Sequence, residues 1–195
     1  MIKSLFLQLV LLFSCLVTRA DNRPGYYITL AGDTVKSTIH RGLNWFGDRG
    51  YTFITVVDAA TGKKTTYHPN EIRGFGFEDE DHYLHFSSKP IDNDGKLRFL
   101  EVARQTPKLS LFYHDIFRSG GGSPPMLWQE RYFTLEHNQG EFLFFKDFGS
   151  MKKLRKQISE FFNDDPAVVS FTEAHFKKGK YVHQDMIELM QLITK

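Results

Sequence analysis

Cysteine is almost absent. The chain has one, Cys15, within its first twenty residues. Without that segment the remainder has no disulfide, no thiolate nucleophile and no cysteine-ligated zinc. Long apolar runs are also scarce. The longest, Leu5 to Val17, is shorter than the ~20 residues that cross a bilayer as a helix. An excess of one charge is missing too. The chain carries 25 Lys and Arg against 23 Asp and Glu. Lys3 and Arg19 stand in the first twenty residues with no acid beside them, so the remainder holds 23 of each sign. A neutral chain has no electrostatic reason to hold nucleic acid or an anionic membrane. No long polar or low-complexity tract occurs, which argues against extensive disorder.

Catalytic signatures are missing as well. There is no His-Glu-x-x-His and no Gly-x-Ser-x-Gly. The stretch "GFGFED" from Gly74 lacks the third glycine and the following helix of a dinucleotide fingerprint. "GGGSPP", Gly120 to Pro125, lacks the strand and helix that build a nucleophile elbow. The sequence therefore designates no catalytic, cofactor-binding or metal-ligating residue.

The N-terminus reads "MIKSLFLQLVLLFSCLVTRAD". Lys3 supplies a positive start, an apolar stretch follows, and Thr18-Arg19-Ala20 ends in a small residue. That layout predicts a secretory signal peptide over residues 1–20 and a protein of the periplasm or cell surface. The alternative is a lipoprotein acylated at Cys15, because Leu12-Phe13-Ser14-Cys15 resembles a lipobox; Phe13 and the apolar Leu16-Val17 argue against it. A retained membrane anchor is the third reading.

Nineteen Phe and eight Tyr supply apolar area for one domain of ordinary size. "GYYITLAGDTVKSTIH" alternates on both sides of Ala31-Gly32-Asp33, the pattern of a hairpin in which Gly32 takes a positive φ. Asp33 suits the turn; as a lone acid it makes a poor ligand or base. Further extended runs are expected at Tyr51 to Asp58, Lys64 to His68, Ile72 to Phe77, His82 to Ser87, Lys96 to Arg104, Leu109 to Asp115, Leu127 to Leu135 and Glu141 to Phe148. "FRSGGGSPPM", Phe117 to Met126, reads as a long loop.

The period changes at Ser150. Met151, Leu154, Ile158, Phe161 and Phe162 share a helical face with Ser150 as N-cap. Asp165 and Pro166 start a second helix, and Gly179 ends it. Met186, Leu189, Met190 and Ile193 line one face of a third. About ten antiparallel strands, sheet or barrel-like, followed by two to three helices make an α+β fold. The expected division is a signal peptide at 1–20, a β domain at 21–149 and a helical tail at 150–195 packed upon it.

Several of these stretches match a known pattern. "GYYITLAGDTVKSTI", "YHPNEIRGFGF" and "LRFLEVARQTPKLSLFYH" resemble successive strand and corner markers of a family of exported proteins common in Bacteroidetes-type bacteria. The tail "FNDDPAVV" is similar to theirs, without a cysteine before the proline. The resemblance implies an exported β-rich protein with no assigned catalytic residue.

Among the eight histidines, His82 and His85 are three apart; on a strand that spacing sends them to opposite faces. His68 and His114 could meet others only through the fold. Glu78, Asp79, Glu80 and Asp81 suggest calcium, but consecutive acids on a strand alternate faces, so a solvated hairpin tip is expected. Lys152, Lys153, Arg155 and Lys156 could touch lipid head groups but fit an ordinary polar helix face. The expected function is a non-enzymatic envelope module that contacts a protein, glycan or lipid through its many aromatics. The alternative is a hydrolase or lyase of an envelope polymer whose histidines and acids meet only in the fold.

Overall fold

Gly32 sets the first turn. Its φ is +103°, and its N–H donates to the Thr29 carbonyl at 3.0 Å. The hydroxyl that closes the corner is that of Thr29, which accepts from the Asp33 N–H at 3.1 Å. The computed structural model describes residues 21–41, 52–58, 60–79, 81–119, 127–137, 140–146, 150–177 and 182–194. The expected leader with Cys15, the Gly120–Pro125 stretch, Glu80 and Gly179 lie outside them.

Ten strands are described. They are β1 (Asp21–Thr29), β2 (Thr34–Arg41), β3 (Ile54–Val57), β4 (Lys64–Tyr67), β5 (Ile72–Asp79), β6 (His82–Pro90), β7 (Leu97–Gln105), β8 (Leu109–Ser119), β9 (Leu127–His137) and β10 (Phe142–Lys146). Three helices follow: α1 (Met151–Phe161), α2 (Pro166–His175) and α3 (Val182–Ile193). All pairings are antiparallel, and one open sheet runs β10-β9-β8-β7-β6-β5-β1-β2-β3-β4. The α+β expectation therefore holds, with an open sheet and three helices. The one departure from a meander is β5, which leaves the β4 edge and returns to pair with β1. Phe117 to Ser119, expected as the start of the Phe117 to Met126 loop, are instead the last residues of β8.

Local chemistry explains several joints. The Asp58 carboxylate accepts from the Ala60 and Thr61 N–H groups at 3.0 and 2.7 Å and from the Thr61 hydroxyl at 2.7 Å. Those bonds, the Thr61 hydroxyl first, hold its pKa below the ordinary carboxylate value. Ser150 caps α1, accepting from the Lys153 N–H, and Asp165 caps α2 ahead of Pro166, accepting from Ala167. Between them Asn163 and Asp164 take φ near +53° and +52°, the left-handed region that Asn and Asp tolerate best.

The register places one row of residues across the sheet on one face. Tyr27 faces Phe75, Phe75 faces Phe86, Phe86 faces Glu101, Glu101 faces Tyr113, Tyr113 faces Phe133, and Phe133 faces Phe145. Two apolar clusters build on this row. Ile39, Ile54, Val56 and Ile72 gather with Phe75, Phe77, Phe86 and Phe99 over the first strands. Leu111, Leu135 and Leu143 meet Leu154, Ile158, Met186 and Leu189 of the helices over the last. The expected apolar stripes of α1 and α3 thus seal the second cluster, with Ile193 half-buried at its rim.

The sheet also bends sharply. Thr134 on β9 brings its hydroxyl to 3.5 Å from the Pro90 carbonyl on β6. Lys89 of β6 pairs with Glu136 of β9 at 2.7 Å. Three strand steps in a flat sheet would separate them by roughly 14 Å. An extra residue on β7, Ala103, enters the ladder between Val102 and Arg104, and such a bulge adds bend and twist.

Candidate functional site

Two side-chain groups stand out on opposite faces of the sheet. The first is half-buried on the shared aromatic row, with Asp115 its buried member. Glu101 is the one acid of that row. Its carboxylate accepts a hydrogen bond from the Tyr113 hydroxyl. Beside it Arg131 donates from Nε to Asp115 Oδ1 at 2.7 Å and from Nη2 to Oδ2 at 2.8 Å, the two-pronged pairing that planar guanidinium and carboxylate groups favour. The guanidinium carbon lies 4.3 Å from the centre of the Tyr113 ring. From α3, the His183 ring packs on Tyr113 and Phe133, with centroids 5.7 and 5.8 Å away.

Burial pushes the Glu101 carboxyl above its ordinary range, against the Tyr113 hydrogen bond and the Arg131 charge that pull it down. Burial, reinforced by the Glu101 hydrogen bond and charge, also pushes the Tyr113 hydroxyl up, so it stays protonated and donates. The group sits where the two apolar clusters meet and where the β7 bulge bends the sheet.

The second group lies on the opposite face. Tyr26 of β1 crosses Gly76 of β5: a Cβ built on Gly76 would lie 2.7 Å from a Tyr26 ring carbon. Tyr26 and Tyr83 are nearly parallel, 7° apart with centroids at 6.1 Å, within the range of offset-stacked aromatic pairs. His85 stands beside both, its ring 5.0 Å from Tyr83, and its Nδ1 shares a 2.7 Å hydrogen bond with the Tyr26 hydroxyl. Burial, then the neighbouring Tyr83, raises the Tyr26 pKa. Tyr83 keeps 46% of its surface exposed, and His85 is exposed. Exposed Glu78 is paired across the ladder with Tyr83, and exposed Lys36 with Tyr26. The rings and two polar side chains thus form a platform in which Tyr26 lies over Gly76.

The residues weighed from sequence scatter. Glu78 shares the platform face, whereas Asp79 pairs with Arg23 at 3.6 Å, so the acidic run divides between faces as alternation requires. His82 and His85 divide in the same way. His68 Nδ1 contacts the Thr52 carbonyl at 3.2 Å. His114 is buried and stacked on Tyr132, 5.2 Å between centroids. Lys152, Lys153 and Lys156 lie on the exposed side of α1, Lys156 3.5 Å from Glu160. Sequence reasoning missed both groups described above. Only the two-residue spacing of Tyr83 and His85 placed platform residues on one face of a strand, and the strand order needed to bring Tyr26 to them was not legible. Comparison with family models, with curated proteins and with solved structures finds no match.

Proposed function

We propose that the protein is a non-enzymatic binding module of a bacterial cell envelope, exported on residues 1–20, and that it holds a glycan on the Tyr26–Tyr83–His85 face. The observation that supports this reading is the pair of parallel, partly exposed tyrosine rings, 6.1 Å apart, with Tyr26 lying over Gly76. A sugar ring presents an apolar C–H face that can lie on an aromatic face. Its hydroxyls then need polar partners at the rim, where Lys36, Glu78 and His85 stand. Three partly exposed rings fall short of the ~800 Å² per side of a standard protein interface. The neutral charge of residues 21–195 disfavours an anionic membrane surface. A cut after Ala20 would leave β1, which begins at Asp21, whole.

The test is calorimetric titration of the purified protein with envelope polysaccharide. Tyr83→Ala is expected to weaken binding about tenfold, ~1.4 kcal/mol, with little change in melting because the ring is half exposed. Unchanged affinity in that variant would reject the platform.

A second reading, a hydrolase or lyase of an envelope polymer, is favoured by one feature: the raised pKa of Glu101 beside Tyr113 suits a proton donor. Its test is turnover of the polymer. Loss of turnover in Glu101→Gln at unchanged melting would establish it, and no turnover by the wild-type protein would dismiss it.

A further inference from the structure

The helical tail holds one more convergent group. Among the described residues, the group of three metal-capable side chains whose ligand atoms lie within 4.8 Å of one another is His175, Asp185 and Glu188. They come from two helices. His175 ends α2, and Asp185 and Glu188 stand three apart on α3, the spacing that brings helical side chains to one face. All three are half-buried. No cysteine is involved, so the donor set is one imidazole nitrogen and two carboxylates.

The neighbours hold the ligands in place. Phe171, one turn before His175 on α2, stacks flat against its ring, 4.1 Å between centroids and 6° between planes. Gln184 donates to Glu188 Oε1 at 3.1 Å. The other oxygen, Oε2, then faces His175 Nδ1 at 3.9 Å. Partners that orient an imidazole plane and one carboxylate oxygen are what metal ligands ordinarily require. The C-terminal end of α2 adds the negative end of a helix dipole.

From this arrangement we infer that His175, Asp185 and Glu188 form a divalent transition-metal site that clamps α2 to α3, with zinc as the best-matched ion. Imidazole with carboxylates suits zinc, whereas an all-oxygen set would suit calcium or magnesium. Zinc bonds of about 2.0–2.1 Å in a tetrahedron put ligand atoms roughly 3.3 Å apart. The 3.9 Å separation closes to that by small side-chain rotations. Three protein ligands leave a fourth position for water. The site is independent of the tyrosine platform and of the envelope reading.

The full chain, purified and stripped of metal, is titrated with zinc chloride in a calorimeter. One zinc per chain is expected. His175→Ala and Glu188→Gln should each lower the affinity at least tenfold. Gln184→Ala, which frees Oε1, should lower it by less. Melting curves without metal identify any variant that fails to fold; Glu188→Gln preserves a partner for Gln184 and serves if His175→Ala does not. Absence of saturable zinc binding would overturn the site and leave a His175–Glu188 ion pair. Affinity unmoved by both ligand variants would overturn it too, as would calcium binding as tightly as zinc, since calcium takes no imidazole.

Discussion

Glu101 shows what one residue costs and secures. It stands in a row otherwise made of Tyr27, Phe75, Phe86, Tyr113, Phe133 and Phe145. Its burial raises the folded-state pKa above the unfolded value. The folded protein then holds a proton that the unfolded chain releases, so stability falls as pH rises from the unfolded carboxylate range through the raised value. Glu101→Gln keeps an acceptor for Tyr113 and removes the charge. Melting of the wild type from about pH 4 to pH 8 should show this fall, and the variant should show less of it. Equal pH profiles would mean that Glu101 is not held protonated. Gly32 makes the complementary case, where backbone rather than charge decides. At φ +103° a β-branched side chain is strained, so Gly32→Val should cost on the order of 1–3 kcal/mol in chemical denaturation. Asp33→Asn should be nearly neutral, because the corner is closed by the Thr29 hydroxyl.

At the scale of elements, the helices earn their place through apolar stripes rather than through propensity. Met186 and Leu189 of α3 are fully buried, and Met190 nearly so, against Leu154 and Ile158 of α1 and the leucines of β8 to β10. Cutting a buried leucine back to alanine costs ~2–5 kcal/mol. Leu189→Ala should lower the melting midpoint of the isolated protein by several degrees. An unchanged midpoint would mean that the stripe is not structural. Strands obey a different constraint. Gly25, Gly74 and Gly76 sit where a Cβ would come within 3 Å of a neighbouring strand's carbonyl oxygen: 2.2, 2.3 and 2.9 Å. The close approach of β1, β5 and β6 therefore depends on residues with no side chain.

For the whole molecule, one sheet serves two cores. The β5 return to β1 and the bend near the Ala103 bulge allow one face to line an apolar cluster at one end and receive helices at the other. The half-buried Glu101–Tyr113 pair and the Arg131–Asp115 ion pair, of which Asp115 is buried, occupy the join. Removing Arg131 leaves the Asp115 carboxylate without its two-pronged partner, a loss of about 1–3 kcal/mol. Arg131→Met should therefore destabilise, and Arg131→Met combined with Asp115→Leu should recover part of the loss, as read by denaturant midpoints. The export reading has its own measurement: expressed with its own N-terminus in a Gram-negative host, the protein should leave the cytoplasm with a mass that begins at Asp21. A mass beginning at acylated Cys15 would favour the lipoprotein.

Local patterns sufficed for much of this. Period-two alternation marked the strands, period 3.6 marked the helices, and Gly32, Ser150, Asp165 and Pro166 marked corners and caps, because those preferences act within a few residues. The apolar stripe of α3 was legible for the same reason. The partners across the sheet were not. Nothing near Glu101 in the chain announces that it will face Tyr113, and nothing near His175 announces Glu188. Tyr26 and His85 are 59 residues apart and meet only because β5 returns to lie between β1 and β6. Strand order is decided by which apolar faces bury together, a property of the assembled sheet. The candidate sites were therefore left to the tertiary structure, while the elements that carry them were written locally in the sequence.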